Sequence, residues 1–136
     1  MNYTDLLAKF GSPEEQSRAS LIGVGQFGRT LLMQSRRIPQ LSLGVLCDLD
    51  IDRLKDTCRS VGMDDDAFAV ADTTAAATQA IEAGKVALTL DPNIAIEAPV
   101  DVVVEATGRA EAGTRNCLQA IDHGRHIALV TKETDS

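Results

Sequence analysis

The sequence predicts an α/β domain of three αβα layers, a doubly wound, mainly parallel sheet with helices on both faces. Three observations carry that expectation. Short apolar runs alternate with helical patterns along most of the chain, the order of a parallel sheet. The first run, Leu21-Ile22, opens directly into Gly23-Val24-Gly25-Gln26-Phe27-Gly28, and a helical pattern follows with Phe27, Leu31 and Leu32 on one face. The second run, 41–47, closes in Asp48, about two dozen residues past the glycine motif. That is close to the roughly 20 expected of a carboxylate that bonds an adenosine ribose.

The glycine motif is a GxGxxG set between a strand and a helix, the setting in which it has a mechanism. Gly23 permits the turn, Gly25 lets a pyrophosphate approach the backbone, and Gly28 lets the helix pack on the strand. The free N–H groups at the helix start, with Val24, Gln26 and Phe27 between the glycines, face the phosphates. Alone the motif is a weak signal, which chance glycines explain nearly as well. With Asp48 behind it, dinucleotide binding on a Rossmann-type domain is the better reading. Arg53, just past the second strand, suits a ribose 2′-phosphate. Asp48 favours NAD and Arg53 permits NADP, so the expected cofactor is NAD or NADP.

The 136 residues suffice for one domain. At 44% hydrophobic and 3% aromatic, the core must be aliphatic. A net charge of -7 argues against nucleic acid and anionic membranes as partners. No apolar run approaches the roughly 20 residues of a membrane span, and the polar start, Met1-Asn2-Tyr3-Thr4-Asp5, is no signal peptide. Cys47, Cys58 and Cys117 match no zinc spacing. They read as reduced thiols of a cytoplasmic protein, Cys47 and Cys117 buried in apolar patterns, with no partner histidine indicated for a catalytic role.

In chain order, 4–10 has helical spacing at Leu6, Leu7 and Phe10, and Gly11-Ser12-Pro13 ends it. Residues 1–18 read as a helix and lead-in, and 19–136 as the nucleotide-binding domain. The helix after the motif is expected over 26–37, since Pro39 disfavours helix at Ile38. Arg36 and Arg37 then suit its C-terminal dipole better than an anion site, and Arg29 reads as a solvated side chain. Asp50 and Asp52 sit in the first turn of the next helix, where carboxylates need no further function. Asp64-Asp65-Asp66 lacks a calcium-loop pattern and reads as a solvated loop. An alanine-rich helix is expected over 73–83, stopped by Gly84. The third strand is expected at 86–90. Asp91-Pro92 caps a short helical turn.

Asp101-Val102-Val103-Val104-Glu105-Ala106-Thr107-Gly108 is the second informative stretch. Its β-branched run suits a parallel strand covered on both faces. Ala106, Thr107 and Gly108 at the strand's end would line the dinucleotide crevice, although a plain strand-to-helix turn has the same composition. A helix over 110–123 is expected to turn Cys117, Leu118 and Ile121 inward. The last strand, 125–130, delivers Thr131-Lys132-Glu133 to the ligand side. His123 and His126 read as structural or exposed.

These segments, with Ala120-Ile121-Asp122-His123-Gly124-Arg125-His126-Ile127, resemble the nucleotide-binding domain of homoserine dehydrogenases. They are more similar still to deoxyxylulose-phosphate-reductoisomerase-like oxidoreductases that carry a C-terminal SAF domain. The resemblance covers most of the chain; the glycine motif is generic and the E-A-T-G segment with its H-G-R-H more specific. It implies that this is an N-terminal fragment of a longer NAD(P)-dependent oxidoreductase, inactive alone, whose substrate and SAF domain follows. It implies a small-molecule substrate, and leaves room for a homo-oligomer. It carries the pyrophosphate loop to Gly23, Gly25 and Gly28, and the nicotinamide-side loop to Ala106, Thr107 and Gly108. Lys132 resembles a lysine near the nicotinamide and substrate in homoserine dehydrogenases, a role the reductoisomerase-like group need not share.

Two other readings stand beside hydride transfer. The same fold can serve as a dinucleotide-sensing module with no reaction. A methyltransferase-like glycine loop is weaker, because the third glycine's spacing and the E-A-T-G strand end suit a dinucleotide better.

Overall fold

The computed structural model describes residues 16–130. The expected helix at 4–10 and Lys132 lie outside the described residues. Six strands form one sheet: β1 (Ser17–Ile22), β2 (Leu41–Cys47), β3 (Phe68–Val70), β4 (Val86–Thr89), β5 (Val102–Glu105) and β6 (His126–Leu129). Their order is β3-β4-β2-β1-β5-β6, and every neighbouring pair is parallel. The helices between them are α1 (Gln26–Ser35), α2 (Ile51–Ser60), α3 (Thr74–Glu82), α4 (Pro92–Glu97) and α5 (Ala110–Asp122). The doubly wound α/β expectation holds.

Alternation along the strands builds two cores. On one face Leu21, Leu43, Leu46, Leu88 and Val104 meet Leu32 of α1, and Leu54 and Cys58 of α2. On the other, Ile22, Val45, Ala87 and Val103 meet α3, α4 and Ala120 of α5. Buried Ser20 on this second face donates to the Ala95 carbonyl at 2.6 Å, satisfying both groups.

Local chemistry starts the helices where sequence reasoning placed them. Asp50 accepts from the Arg53 amide at 3.2 Å, Thr73 from the Ala76 amide at 3.0 Å, and Asp91 from the Asn93 amide at 2.9 Å. Each satisfies an N–H that a helix start leaves free. The head of α1 differs, because Gly25 is its N-cap and no side chain caps it.

Several expectations need correction. Helix α1 stops at Ser35 rather than residue 37; Arg36 is its C-cap, and its guanidinium donates to the Val61 carbonyl. Phe27 points outward and is 48% exposed. The 3-residue strand β3 was not expected: it is too short to show alternation and is held by pairing with β4. Strand β4 ends at Thr89, and Leu90 beyond it is exposed.

The largest reversal concerns α5. Leu118 is 59% and Ile121 63% exposed, whereas Gly113, Asn116 and Ala120 are buried. Small residues let the helix lie close on the sheet, so packing rotates the larger apolar side chains outward. Cys117 is only half-buried, and Cys58, unremarked in the apolar pattern, is buried.

Candidate functional site

The site forms at the C-terminal ends of the central strands. The chain leaves β1 toward β2 on one side, and β5 returns on the other. Open α/β sheets bind ligands at such a switch point. Here a crevice of about 490 Å³ lies between the glycine loop, the end of β2 and the start of α5.

The glycine loop is fixed by its two neighbouring strands. The Gly23 amide donates to the Cys47 carbonyl at 2.9 Å, and the Ala106 amide to the Ile22 carbonyl at 2.8 Å. Gly23 has φ +92°, and a Cβ there would lie 2.6 Å from the Ala106 carbonyl. Gly28 faces Gly23, where a Cβ would lie 2.9 Å from the Gly23 carbonyl oxygen and 3.1 Å from Leu21 Cδ2. Only between these does the chain open: a Cβ on Gly25 would meet nothing within 4 Å.

Asp48 closes the β2 side. Its Oδ2 accepts the Val24 amide at 2.9 Å and its Oδ1 accepts the Leu49 amide at 2.8 Å. The carboxylate is therefore aimed and held before any ligand arrives. Arg53, one turn into α2, is exposed and lines the same wall.

The β5 side is built around Glu105, which is fully buried. Its Oε1 accepts the Thr107 amide at 2.8 Å and also the Thr107 hydroxyl, and its Oε2 accepts Asn116 Nδ2 at 2.7 Å. These donors come from two elements and supply what a buried carboxylate requires. They also tie the 106–108 turn to α5.

Of the residues expected at the site, Gly23, Val24, Gly25, Asp48, Arg53, Ala106 and Thr107 line the crevice. Gln26, Phe27, Gly28 and Gly108 do not. Sequence reasoning overlooked Leu90, Pro92, Arg109, Arg115 and Asn116, which also line it. Asn116 carried a signal, a polar residue inside the Gly113–Ala120 stripe of small residues. A charged residue closing a β-branched run was the matching signal at Glu105.

Cys47 also lines the crevice. Burial above all, then the nearby charges of Asp48, Asp91 and Glu105, pushes its thiol up to about 12. It stays protonated at neutral pH and offers no thiolate nucleophile. The acidic loop is as expected: Asp64, Asp65 and Asp66 are exposed. Arg59 forks onto Asp65 at 2.8 and 3.0 Å, which holds the Asp65 carboxyl below the usual range. Among the described residues no cluster fits a metal ion, and no helix is long and apolar enough to cross a membrane. Both histidines are exposed. Arg29 is exposed too, and bonds Ser60 at 3.0 Å.

No protein-family model matches the chain, and neither does any curated protein. Solved structures do. A probable dehydrogenase from Thermotoga maritima superposes with a TM-score of 0.60 at 18% identity, over 82% of this chain and 27% of its own. The scyllo-inositol dehydrogenase of Lactobacillus casei, with bound NAD(H) and scyllo-inositol, gives 0.58 at 13% identity, over 85% and 28%. A DOX-P reductoisomerase in complex with magnesium gives 0.58 at 23% identity, over 88% and 32%. The fold is that of the Rossmann-type domain in these oxidoreductases. The chain spans about a third or less of the length of each.

Proposed function

We propose that this chain is the NAD(P)-binding domain of an oxidoreductase that moves a hydride between the nicotinamide and a carbonyl or alcohol carbon. The observation that carries the reading is Gly25. It stands at the uncapped head of α1, with open space where a side chain would be. A pyrophosphate needs that combination of free amides, a favourable helix dipole and no Cβ. The similarity to oxidoreductases, one of them with NAD(H) bound, points the same way.

The roles follow from position. Gly23, Gly25 and Gly28 shape the pyrophosphate loop, which the Val24, Gln26 and Phe27 backbone completes. Asp48 takes the adenosine ribose hydroxyls. Arg53 is the residue at hand for a 2′-phosphate. Ala106, Thr107 and Gly108 stand on the nicotinamide side. Lys132, following β6, polarises the substrate oxygen. The bound cofactor supplies the hydride chemistry, while the chain orients it and sets the charge around it. The substrate is a small molecule, and its pocket belongs to a following domain of the parent, homoserine dehydrogenase-like or reductoisomerase-like with a SAF domain. The isolated chain then binds cofactor without turnover.

Calorimetric titration with NAD and with NADP, beside a Gly25→Val variant, tests this. Saturable binding that the variant loses is expected. Tighter NAD binding assigns the ribose to Asp48, and tighter NADP binding puts Arg53 on the 2′-phosphate. No binding of either by the folded chain overturns the reading.

A further inference from the structure

Glu105 and Asn116 fix the direction of one more group at the site, and the inference drawn from them rests on the dinucleotide reading above. A carboxylate only accepts hydrogen bonds, whereas a side-chain amide has one accepting and one donating end. The 2.7 Å contact to Glu105 Oε2 must therefore be made by Asn116 Nδ2. That turns the amide oxygen, Oδ1, away from Glu105. Asn116 is only 3% exposed and lines the crevice. No described residue donates to its Oδ1. Yet among the described residues no sealed side-chain oxygen lacks a partner, so Oδ1 reaches the crevice surface as a free, nearly buried acceptor. An acceptor with so little water around it favours a ligand hydrogen strongly, because leaving it unmet is costly.

The location selects the ligand group. Asp48 stands at the end of β2 and Gly25 at the head of α1, so adenosine and pyrophosphate take that half of the crevice. Asn116 lies on α5, which follows β5 on the opposite side of β1. The nicotinamide half lies there, and its carboxamide carries an NH₂.

We propose that Asn116 Oδ1 accepts a hydrogen bond from the carboxamide NH₂ of the nicotinamide, with Glu105 as the positioning residue that holds the Asn116 amide in that orientation. Thr107, held on the same carboxylate, keeps the adjoining turn in register with it. The contact selects a ring bearing a donor at that substituent.

The test uses three probes on the whole chain: NADH, the reduced 3-acetylpyridine analogue, in which a methyl replaces the NH₂, and ADP-ribose, which has no pyridine ring. The wild-type chain should bind NADH about tenfold more tightly than the analogue, the scale of one hydrogen bond lost at a buried acceptor. In Asn116→Ala and Glu105→Gln the preference should fall below about twofold, the second because glutamine can donate to Oδ1 and accept from Nδ2 alike. A general packing defect weakens all three probes together and leaves the ratio intact. Equal wild-type binding of NADH and the analogue overturns the proposal, and so does a preference that survives in Asn116→Ala. The wild-type comparison decides even if Glu105→Gln fails to fold. A substrate hydroxyl as the true donor would show as equal binding in this substrate-free assay. If ADP-ribose and NADH both fail to bind the folded chain, the dinucleotide reading itself is lost. ADP-ribose binding with no preference for NADH loses only the Asn116 contact.

Discussion

Gly23 and Ala106 touch backbone to backbone: a Cβ on Gly23 would lie 2.6 Å from the carbonyl carbon and oxygen of Ala106. The contact joins the loop after β1 to the turn after β5. Gly23 also sits at φ +92°, where a side chain is strained. Gly23→Ala should therefore cost on the order of 3 kcal/mol of stability, read by thermal unfolding. Gly25→Ala, with open space around it, should leave the melting temperature nearly unchanged while weakening NAD binding. Equal destabilisation by both would contradict the separate roles.

Asp48 is held by the Val24 and Leu49 amides, so its negative charge stands on the crevice wall at fixed geometry, where the proposed function puts the ribose. On that proposal, removing it takes away the partner of the ribose hydroxyls and the repulsion toward a 2′-phosphate. Asp48→Ala should shift the ratio of NAD to NADP affinity toward NADP by about tenfold, roughly 1.4 kcal/mol. Paired titrations of variant and wild type check it. An unchanged ratio removes Asp48 from cofactor choice.

Arg125 donates to three carbonyls at the end of α4: Nε to Ile96 at 3.0 Å, and Nη2 to Glu97 at 3.2 Å and Ala98 at 3.0 Å. A cation at a helix C-terminus is favourable, and this one also satisfies the carbonyls the helix leaves free. Arg125→Met, which keeps much of the aliphatic stem, should lower stability by about 1.5–3 kcal/mol, measured by urea denaturation. Arg125→Lys should recover only part of this, since lysine lacks the fork.

Cys47 and Cys58 give the chain an alkaline limit. Burial raises Cys47 from 9.0 to about 12 and Cys58 from 9.0 to about 11. Below pH 9 both states keep the thiol protons and nothing is gained or lost. Above it the unfolded chain releases protons that the native chain keeps, so stability falls as pH rises. Each thiol contributes at most about 1.4 kcal/mol per pH unit, until about pH 11 for Cys58 and about pH 12 for Cys47. Denaturation midpoints from pH 8 to 10.5 should decline in the wild type and decline less in Cys47→Ala. At pH 8 an alkylating reagent should label both far more slowly in the native than in the unfolded chain.

Leu118 and Ile121 stand outward on α5, against the expectation that they fill the core. Ile121→Asp should then change the melting temperature by little, within about 0.5 kcal/mol. A large loss of stability would show that this face is covered in solution.

Local chemistry explains what was readable from residues alone. The strand–GxGxxG–helix order, the acid closing β2, the capping residue Asp91, and the apolar run of β5 each act within a few positions of the chain. Their consequences follow from backbone geometry, whatever the rest of the molecule does. The crevice around Asn116, Arg109, Arg115, Leu90 and Pro92 depends instead on strand order, which brings the ends of β1, β2, β4 and β5 side by side. The same holds for α5. Its sequence carries large apolar residues and a stripe of small ones, and close packing on the sheet selects the small stripe because only it lets the two backbones approach. Glu105 shows the division most sharply. Its place at the end of a buried strand and its bonds to Thr107 two residues on are local, while its contact with Asn116 exists only because α5 folds back over that strand.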